Sequence, residues 1–365
     1  MFKKIKLKEP IICFFNSNKA WGGGEKWHFE TAKLLNNKNF KVVIFAYSGK
    51  ELYKRAVKSN IKAIPVKISS ISFLNPFKIF RLYRKIKGTG ANSIVLNLSA
   101  DVKAAGLAAK LAGVKNIIYR RGMALPVKNS MINRYIFKYV LTTIVANSND
   151  IKQKLLLNHS YLKKLNKIVV IHNGVNPDIY IQNDKKTKSN NKIILGNVGR
   201  LVEQKAQHLL IDLAEQLKNH SIDFEIQIVG SGRLEDPLRN LTREKSLENH
   251  IQFPGFVEDL AVFYQDIDIF ILTSFHEGTS NALIEAMAWG NPILAFNISS
   301  MPEMIQDGQN GFLAEWGDQK KLLENSLKLI QDKNLRDKMG IKSKEIVHEK
   351  FNIQTNLQFW IQLLS

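Results

Sequence analysis

Residues 267–296 read IDIFILTSFHEGTSNALIEAMAWGNPILAF, and this stretch carries the strongest pattern in the chain. The apolar run 267–273 predicts a buried strand, and a second apolar run at 293–296 predicts another. Between them, Gly278 is followed by residues that can cap a helix, then by an apolar run and the helix-stopping sequence Gly-Asn-Pro at 290–292. The pattern therefore predicts strand, loop, helix and strand, as in α/β proteins with parallel sheets.

Two carboxylates lie beside the start of this helix. Glu277 falls in the loop and Glu285 in the second helical turn. A helix N-terminus offers unpaired N–H groups and partial positive charge, which suit a phosphate, while carboxylates accept hydrogen bonds from the hydroxyls of a sugar and a ribose. The arrangement predicts a nucleotide-sugar site. Its phosphate end would be formed by Gly278, Thr279, Ser280 and Asn281.

The same residues resemble a known family. Glu277 and Glu285 match the Glu-x7-Glu element of the retaining GT-B glycosyltransferases, "group 1" family (family 4 type), and 285–292 matches the family string Glu-Ala-Met-Ala-x-Gly-x-Pro. The resemblance implies an α/β protein of the GT-B fold, with two Rossmann-like domains whose parallel sheets face an interdomain cleft. It also implies transfer from a nucleotide-diphospho-sugar with retention of anomeric configuration, without a metal and without another cofactor.

A second element follows the predicted strand at 193–195. Residues 199–205 resemble the family's Gly-Arg-Leu-x-x-x-Lys-Gly element, with Ala206 where glycine is usual. Arg200 supplies a planar fork of donors and Lys205 a point charge, and both can close on a diphosphate. The resemblance implies that Arg200 and Lys205 stabilise the departing diphosphate, and that Glu277 holds the hydroxyls of the donor sugar. These three are the predicted catalytic residues.

Glycines follow two other predicted strands. Gly23 and Gly24 lie in a loop after the first strand, and Gly230 and Gly232 follow the strand 225–229. Glycine lets backbone N–H groups approach a phosphate or a sugar closely. The first pair resembles the family's Gly-Gly-x-Glu loop, which faces the interdomain cleft, and the second resembles its Gly-x-Gly turn beside the nucleotide. Both pairs are predicted to bind the donor. For the second pair, a tight turn without donor contact explains the glycines equally well.

Candidate acceptor residues lie in the first half of the chain. Arg120 and Arg121 end a predicted strand where many relatives of the family carry a histidine. They would hold an anionic acceptor or the donor phosphate, or form a solvated pair on the surface. Asp101, which follows the strand 93–98, is the third candidate. No Cys/His cluster in the sequence has the spacing of metal ligands.

Positive charge is concentrated in the first half of the chain. Residues 1–180 contain 33 Lys and Arg against 7 Asp and Glu, whereas residues 181–365 contain 20 against 25. Such a field attracts nucleic acid, anionic lipid or a phosphorylated glycan; a lysine-rich genome is the other explanation. The predicted helix 75–87 has a basic face, which suits either anionic lipid or solvent.

The rest of the sequence indicates compartment and organisation. A single cysteine excludes a disulfide scaffold, and the first apolar run is too short for a signal peptide, so we expect a cytoplasmic protein that can also lie at the inner face of the cytoplasmic membrane. Predicted domains are an acceptor-binding domain at 1–181, a linker at 182–192, a donor-binding domain at 193–345 and a helix at 346–365 that returns to the first domain. Strands are predicted at 11–15, 41–46, 61–66, 93–98, 116–119, 143–146, 193–198, 225–229, 251–253, 267–273 and 292–296.

Together with these patterns, the family resemblance implies a retaining glycosyltransferase. Its partners would be a nucleotide-sugar donor, a glycan or glycolipid acceptor of envelope synthesis (lipopolysaccharide, capsule or glycolipid) and an anionic membrane surface, with no nucleic acid. Three alternatives stay open: a sugar-nucleotide epimerase of the same fold, a basic nucleic-acid-binding protein, and a dinucleotide-dependent oxidoreductase. The oxidoreductase alternative is disfavoured, because this chain lacks the Gly-x-Gly-x-x-Gly fingerprint after its first strand.

Overall fold

The computed structural model describes residues 10–123, 126–177 and 192–365, and the chain divides into two compact units. Unit 1 comprises Met1–Ile171 and Leu357–Ser365, and unit 2 comprises His172–Asn356. The end of the chain therefore belongs to the same unit as its beginning. The predicted linker lies outside the described residues except for Lys192, and the predicted domain limits stay predictions.

Unit 1 is built on a sheet of seven described strands, all parallel, in the order β3-β2-β1-β4-β5-β6-β7. The strands are β1 (Ile11–Asn16), β2 (Lys41–Tyr47), β3 (Lys62–Val66), β4 (Ser93–Leu96), β5 (Asn116–Arg121), β6 (Thr143–Ala146) and β7 (Ile168–Val170). The helices are α1 (Gly23–Asn37), α2 (Glu51–Lys58), α3 (Pro76–Lys87), α4 (Ser99–Leu111), α5 (Met131–Tyr135), α6 (Asn149–Asn158) and α7 (Tyr161–Leu165), with a 3-10 turn at Ser72–Leu74 and a π-helical segment at Ile136–Val140.

Both faces of this sheet are covered, which explains why its strands read as continuous apolar runs. One apolar core joins the sheet to α3, α4 and the segment Ile136–Val140. The core on the other face joins it to α1, α2 and the last helix of the chain, whose Trp360 ring lies 4.8 Å from that of Trp27.

Within the described part of unit 2, six strands form a parallel sheet in the order β10-β9-β8-β11-β12-β13. Its strands are β8 (Ile193–Val198), β9 (Phe224–Val229), β10 (Ile251–Gly255), β11 (Ile269–Leu272), β12 (Ile293–Phe296) and β13 (Gly311–Ala314). Its helices are α8 (His208–Asn219), α9 (Glu235–Glu244), α10 (Ala261–Asp266), α11 (Asn281–Ala288), α12 (Met301–Met304), α13 (Gln319–Gln331) and α14 (Lys333–Lys350), with a 3-10 turn at Glu203–Lys205. The last helix, α15 (Ile353–Leu364), passes from unit 2 into unit 1.

The predicted strands are confirmed, with ends that differ by at most two residues. Two short strands at sheet edges, β7 and β13, were not predicted from the sequence. The predicted capping of α3 is also confirmed, because the Asn75 side chain accepts a hydrogen bond from the N–H of Lys78 at 3.0 Å and Pro76 occupies the first helical position. None of the described helices is long and apolar enough to span a bilayer.

Candidate functional site

The start of α11 is held in place but not capped by a side chain. Ser280 occupies the cap position without a side-chain capping hydrogen bond. The carbonyl of Gly278 accepts a hydrogen bond from Ser300 Oγ, and Asn173 Nδ2 donates to Asn281 Oδ1 at 2.8 Å. Thr279 and Ser280 are buried. A fixed helix start whose cap residue does not bond to the first N–H groups is suited to bind an anion.

Lys205 and Glu277 form an ion pair beside this helix start. Their side chains are only 15% and 11% exposed. Two hydrogen bonds to backbone carbonyls hold the two loops together: the hydroxyl of Thr273 donates to the carbonyl of Lys205 at 2.9 Å, and the N–H of Phe275 donates to the carbonyl of Gln204 at 3.0 Å. The structure therefore brings together two residues that are 72 positions apart in the sequence, in a largely dehydrated place where charge interactions are strong.

Arg200 belongs to the same group of loops but has an exposed side chain. Its carbonyl accepts a hydrogen bond from Gln207 Nε2 at 3.0 Å, which fixes the backbone and leaves the guanidinium in solvent. Ala206, where the family usually has glycine, adopts a left-handed conformation with φ of 47°. This explains the family preference, because a left-handed backbone costs an alanine about 1–2 kcal/mol.

Gly230 and Gly232 allow two loops to pass very close to each other. A Cβ on Gly230, whose φ is 141°, would lie 1.9 Å from the carbonyl oxygen of Gly199, and one on Gly232 would lie 2.3 Å from that of Leu201. Backbone hydrogen bonds join the same loops, including Leu201 N–H to the carbonyl of Ser231 at 3.0 Å. Loop packing alone therefore requires both glycines, and direct contact with a donor stays a prediction.

Glu285 is half-buried in the second turn of α11, as predicted. The hydroxyl of Tyr264 donates to Glu285 Oε2 at 3.1 Å, and Asn291 Nδ2 holds the carbonyl of Tyr264 at 2.9 Å. One carboxylate oxygen is thus oriented by a buried tyrosine. A carboxylate has capacity for further donors, such as the hydroxyls of a ribose.

The glycines of unit 1 have a different place from the one predicted. Gly23 and Gly24 are the first residues of α1 rather than part of a loop before it. A Cβ on Gly24 would lie 3.1 Å from Asn97 Nδ2. The next residue, Glu25, is buried and accepts hydrogen bonds from Asn16 Nδ2 and Asn18 Nδ2, both at 3.0 Å. Close packing between α1 and the residues after β4 accounts for Gly24.

Arg120 and Arg121 are buried, so their interpretation as a solvated pair is wrong. The Arg120 guanidinium lies 4.2 Å from the centre of the Trp27 ring and donates to Asn97 Oδ1 at 3.3 Å. Burial lowers the pKa of Arg120 to about 9, and the nearby carboxylate of Glu25 opposes this shift. Arg121 Nη1 donates to the hydroxyl of Tyr119 at 2.8 Å. Contact of either arginine with an acceptor stays a prediction.

Asp101 is completely buried, which does not fit direct contact with an acceptor. Its carboxyl accepts hydrogen bonds from the hydroxyl of Ser17 at 2.5 Å and from the N–H of Ser17 at 3.1 Å. Burial raises the pKa of Asp101 to about 7, an effect that the Ser17 hydrogen bonds oppose and the charge of Glu25 reinforces. Asp101 therefore anchors the residues that follow β1, and we correct its assignment as an acceptor ligand.

The buried Asp101 carboxyl predicts a pH-dependent stability. The folded-state pKa of about 7 lies above the ordinary value of 3.8, so between these values the folded state binds more protons than the unfolded state. Stability should fall as pH rises from about 4 to 7, by at most about 1.4 kcal/mol per pH unit. Asp101→Asn keeps a donor and an acceptor for Ser17 but cannot ionise. Urea unfolding at several pH values should show that the free energy of unfolding of the variant rises relative to that of the wild type as pH increases. A difference in free energy that stays constant with pH would contradict the prediction.

Several residues of the site gave no usable signal in the sequence. Three of them lie in ordinary helix or loop patterns. Tyr264 contacts Glu285, Gln204 contacts the loop after β11, and Ser300 contacts Gly278. Asn173 stands in the ordinary turn sequence Asn-Gly-Val, and the structure places its amide against Asn281. These contacts join segments that are far apart in the sequence, so they can be identified only from the folded structure.

The fold and this group of loops define the class of the protein as a GT-B glycosyltransferase. It has two Rossmann-like domains with parallel sheets, and the second carries the donor-side elements. The family described as glycosyl transferases group 1 matches residues 179–346, and glycosyltransferase family 4 matches residues 21–179. The chain is 30% identical to an uncharacterized glycosyltransferase of Methanocaldococcus jannaschii, over 93% of each chain. It belongs to the group 1 glycosyltransferases.

Two further proteins are similar over most of the chain. The capsular polysaccharide biosynthesis glycosyltransferase CapM of Staphylococcus aureus is 28% identical, over 91% of each chain. The crystal structure of HepE from Anabaena, in complex with UDP and glucose, superposes with a TM-score of 0.80 at 19% identity, over 97% of this chain and 98% of that one. At this level of identity, the similarity to HepE shows that the two proteins share a fold.

Proposed function

We propose that the protein is a retaining hexosyltransferase that moves a sugar from a nucleotide-diphospho-sugar to a lipid-linked or phosphorylated glycan of the bacterial envelope. The observation that carries the proposal is the Lys205–Glu277 ion pair beside the uncapped start of α11. It combines a cation, a carboxylate and a helix start whose cap residue, Ser280, makes no side-chain capping hydrogen bond. A diphosphate joined to a sugar needs the same three kinds of group.

In this proposal, the donor diphosphate lies at the start of α11, near Gly278, Thr279 and Ser280. The Lys205 ammonium has three donors, so it can keep its bond to Glu277 and also bind a phosphate oxygen. The exposed Arg200 guanidinium adds a second cation. As the bond between sugar and phosphate breaks, negative charge grows on the leaving diphosphate, and fixed positive groups stabilise that charge without reorganising.

The carboxylates hold the two sugars of the donor. Glu277 accepts hydrogen bonds from hydroxyls of the transferred sugar, and Glu285 accepts them from the ribose. The proton of the acceptor hydroxyl passes to the leaving phosphate, so a strong general base is not required. Transfer with retention is tested by proton NMR of the first product formed from an α-linked donor, where an inverted anomer would refute it.

The proposed acceptor rests on charge and on the relatives. Unit 1 carries most of the excess of Lys and Arg over Asp and Glu. A neutral glycan in water has no need of such a field, whereas a phosphorylated or lipid-linked glycan at an anionic membrane is attracted by it. CapM, similar over nearly the whole chain, acts in capsular polysaccharide biosynthesis. We place the protein at the cytoplasmic face of that membrane.

A panel of donors tests the proposal. Thermal unfolding is measured with UDP-, GDP-, ADP- and CMP-sugars, with UDP-glucose first because HepE was crystallised with UDP and glucose. A ligand present at a hundred times its Kd should stabilise the fold by about 2.7 kcal/mol. One nucleotide class should shift the unfolding temperature, and its sugar form should be hydrolysed slowly. A protein stabilised by none of the four classes would refute the donor site.

Metal removal is the next test. Arg200, Lys205 and the start of α11 already supply positive charge for the diphosphate, so we expect donor hydrolysis to persist in excess EDTA. The chain contains one Asp-x-Asp sequence, Asp266-Ile267-Asp268, and there Asp268 Oδ2 accepts a hydrogen bond from the N–H of Ile194 at 2.8 Å. Loss of hydrolysis in EDTA that Mg²⁺ or Mn²⁺ restores would show this expectation to be wrong.

A further inference from the structure

The outward side of α3 and the turn before it expose large apolar side chains. Leu82 and Ile86 face the sheet and are buried, while Phe77 and Phe80 are 78% and 57% exposed. The preceding turn adds Ile71 and Leu74, which are 68% and 69% exposed. Single exposed apolar residues are common, but four within ten positions form a patch that a solvated helix does not need.

The same surface is strongly basic. Lys78, Arg81, Arg84, Lys85 and Lys87 of α3 are all exposed. Between positions 52 and 149 the sequence contains a single acidic residue, Asp101, and that residue is completely buried. The helices and loops of this part of unit 1 therefore present cations to solvent without carboxylates between them.

A neighbouring segment repeats this combination. The helix α4 packs against both α3 and Ile136–Val140, and all three contribute to the core on one face of the sheet. In residues 128–139, which include most of this segment, exposed apolar or aromatic side chains again alternate with exposed basic ones. They are Lys128, Met131, Arg134, Tyr135, Lys138 and Tyr139.

We propose that this basic apolar face, formed by residues 71–87 and 128–139, docks on an anionic lipid bilayer. Ile71, Leu74, Phe77 and Phe80 would enter the boundary between headgroups and acyl chains, with the lysines and arginines at the phosphate level and Tyr135 and Tyr139 as interfacial rings. Charge complementarity selects anionic lipid. The exposed aliphatic and aromatic side chains favour a bilayer over a soluble polyanion, which offers them nothing apolar. The inference rests on the proposed function only in placing the acceptor at a membrane.

Vesicle sedimentation tests the docking. The full chain is mixed with vesicles of phosphatidylcholine alone or of equal parts phosphatidylcholine and phosphatidylglycerol, at low salt. We expect binding to the anionic vesicles, at least about tenfold weaker binding to the neutral ones, and release as salt rises. Equal binding to both, or none at low salt, would overturn the proposal.

Two sets of variants separate insertion from charge. Phe77→Ser with Phe80→Ser, and separately Arg81→Ser with Arg84→Ser, should each weaken binding by about tenfold or more. The control is Val57→Ser with Lys58→Ser, both exposed on α2, which packs on the opposite face of the sheet; its binding should equal that of the wild type. Circular dichroism verifies folding, and Leu74→Ser replaces the phenylalanine pair if that variant unfolds.

The variants also distinguish this inference from the proposed function. Hydrolysis of the donor found with the nucleotide panel should be unchanged in all of them, because all of the replaced residues belong to unit 1 and the donor loops belong to unit 2. Loss of binding in the arginine variant together with full binding in the phenylalanine variant would indicate a soluble polyanion and overturn membrane docking. Vesicle binding as expected, with no donor hydrolysis in the wild type, would refute the proposed function and leave the docking surface standing.

Discussion

Replacing Arg200 and Lys205 together with alanine is expected to lower transfer and donor hydrolysis by at least about a thousandfold. One fixed donor aimed at a developing negative charge commonly contributes a hundredfold to a thousandfold, and this variant removes two cations from the same place. Single-turnover hydrolysis of the nucleotide-sugar identified by thermal shift measures the loss. Activity within tenfold of the wild type would refute the assignment of both residues.

The fold should survive this double replacement. The Arg200 side chain is exposed, so its loss has little effect on stability. Without Lys205, the Glu277 carboxylate loses its partner in a place where it is only 11% exposed, and we expect a cost of about 1–3 kcal/mol. Lys245→Ala is the matched control, because it also breaks partly buried ion pairs of unit 2, with Asp212 and Glu215, and should keep full activity.

The architecture of both sheets was predictable from the sequence because buried parallel strands leave a simple signal. Each predicted strand is a short apolar run followed by glycine or polar residues, and helical patterns separate the runs. The strands that escaped, β7 and β13, lie at sheet edges and have only three and four residues. An edge strand of that length carries too few apolar residues to stand out from a loop.

Local elements of the site were predictable for a similar reason, whereas pairings were not. The positions of Glu285 in α11 and of Asn75 before α3 follow from capping rules that act within a few residues. The ion pair of Lys205 with Glu277, the bond of Tyr264 to Glu285 and the bond of Asn173 to Asn281 join segments between 21 and 108 positions apart. A sequence pattern does not encode those distances.

The burial of charged residues is the feature of unit 1 that the sequence-based predictions missed. A pair of arginines at the end of a strand is usually solvated, but Arg120 stacks on Trp27 and Arg121 bonds to Tyr119. The partner of Arg120 comes from α1, about ninety positions earlier in the chain. Asp101 is buried for the same reason, since its carboxyl is satisfied by Ser17, which follows β1 and lies 84 positions earlier in the chain.

Glu285→Ala is expected to weaken binding of the donor nucleotide by about 10-fold to 150-fold. Two ribose hydroxyls would lose a charged acceptor, and a hydrogen bond to a charged group contributes about 1.5–3 kcal/mol. Isothermal titration with the nucleoside diphosphate measures the change. Tyr264→Phe is the matched variant, because it removes the 3.1 Å hydrogen bond to Glu285 and leaves the carboxylate in place, so its effect should be about 0.5–1.5 kcal/mol.

A nucleotide without ribose hydroxyls identifies the contact itself. The wild type should bind the 2′,3′-dideoxy form of the nucleoside diphosphate far more weakly than the ordinary form, because the oriented carboxylate of Glu285 then has no hydroxyl to accept from. In Glu285→Ala the two forms should bind with nearly equal affinity, whereas Tyr264→Phe should retain most of the preference. If Glu285→Ala still discriminates as strongly as the wild type, another residue binds the ribose, and Glu285 serves only to hold Tyr264 against α11.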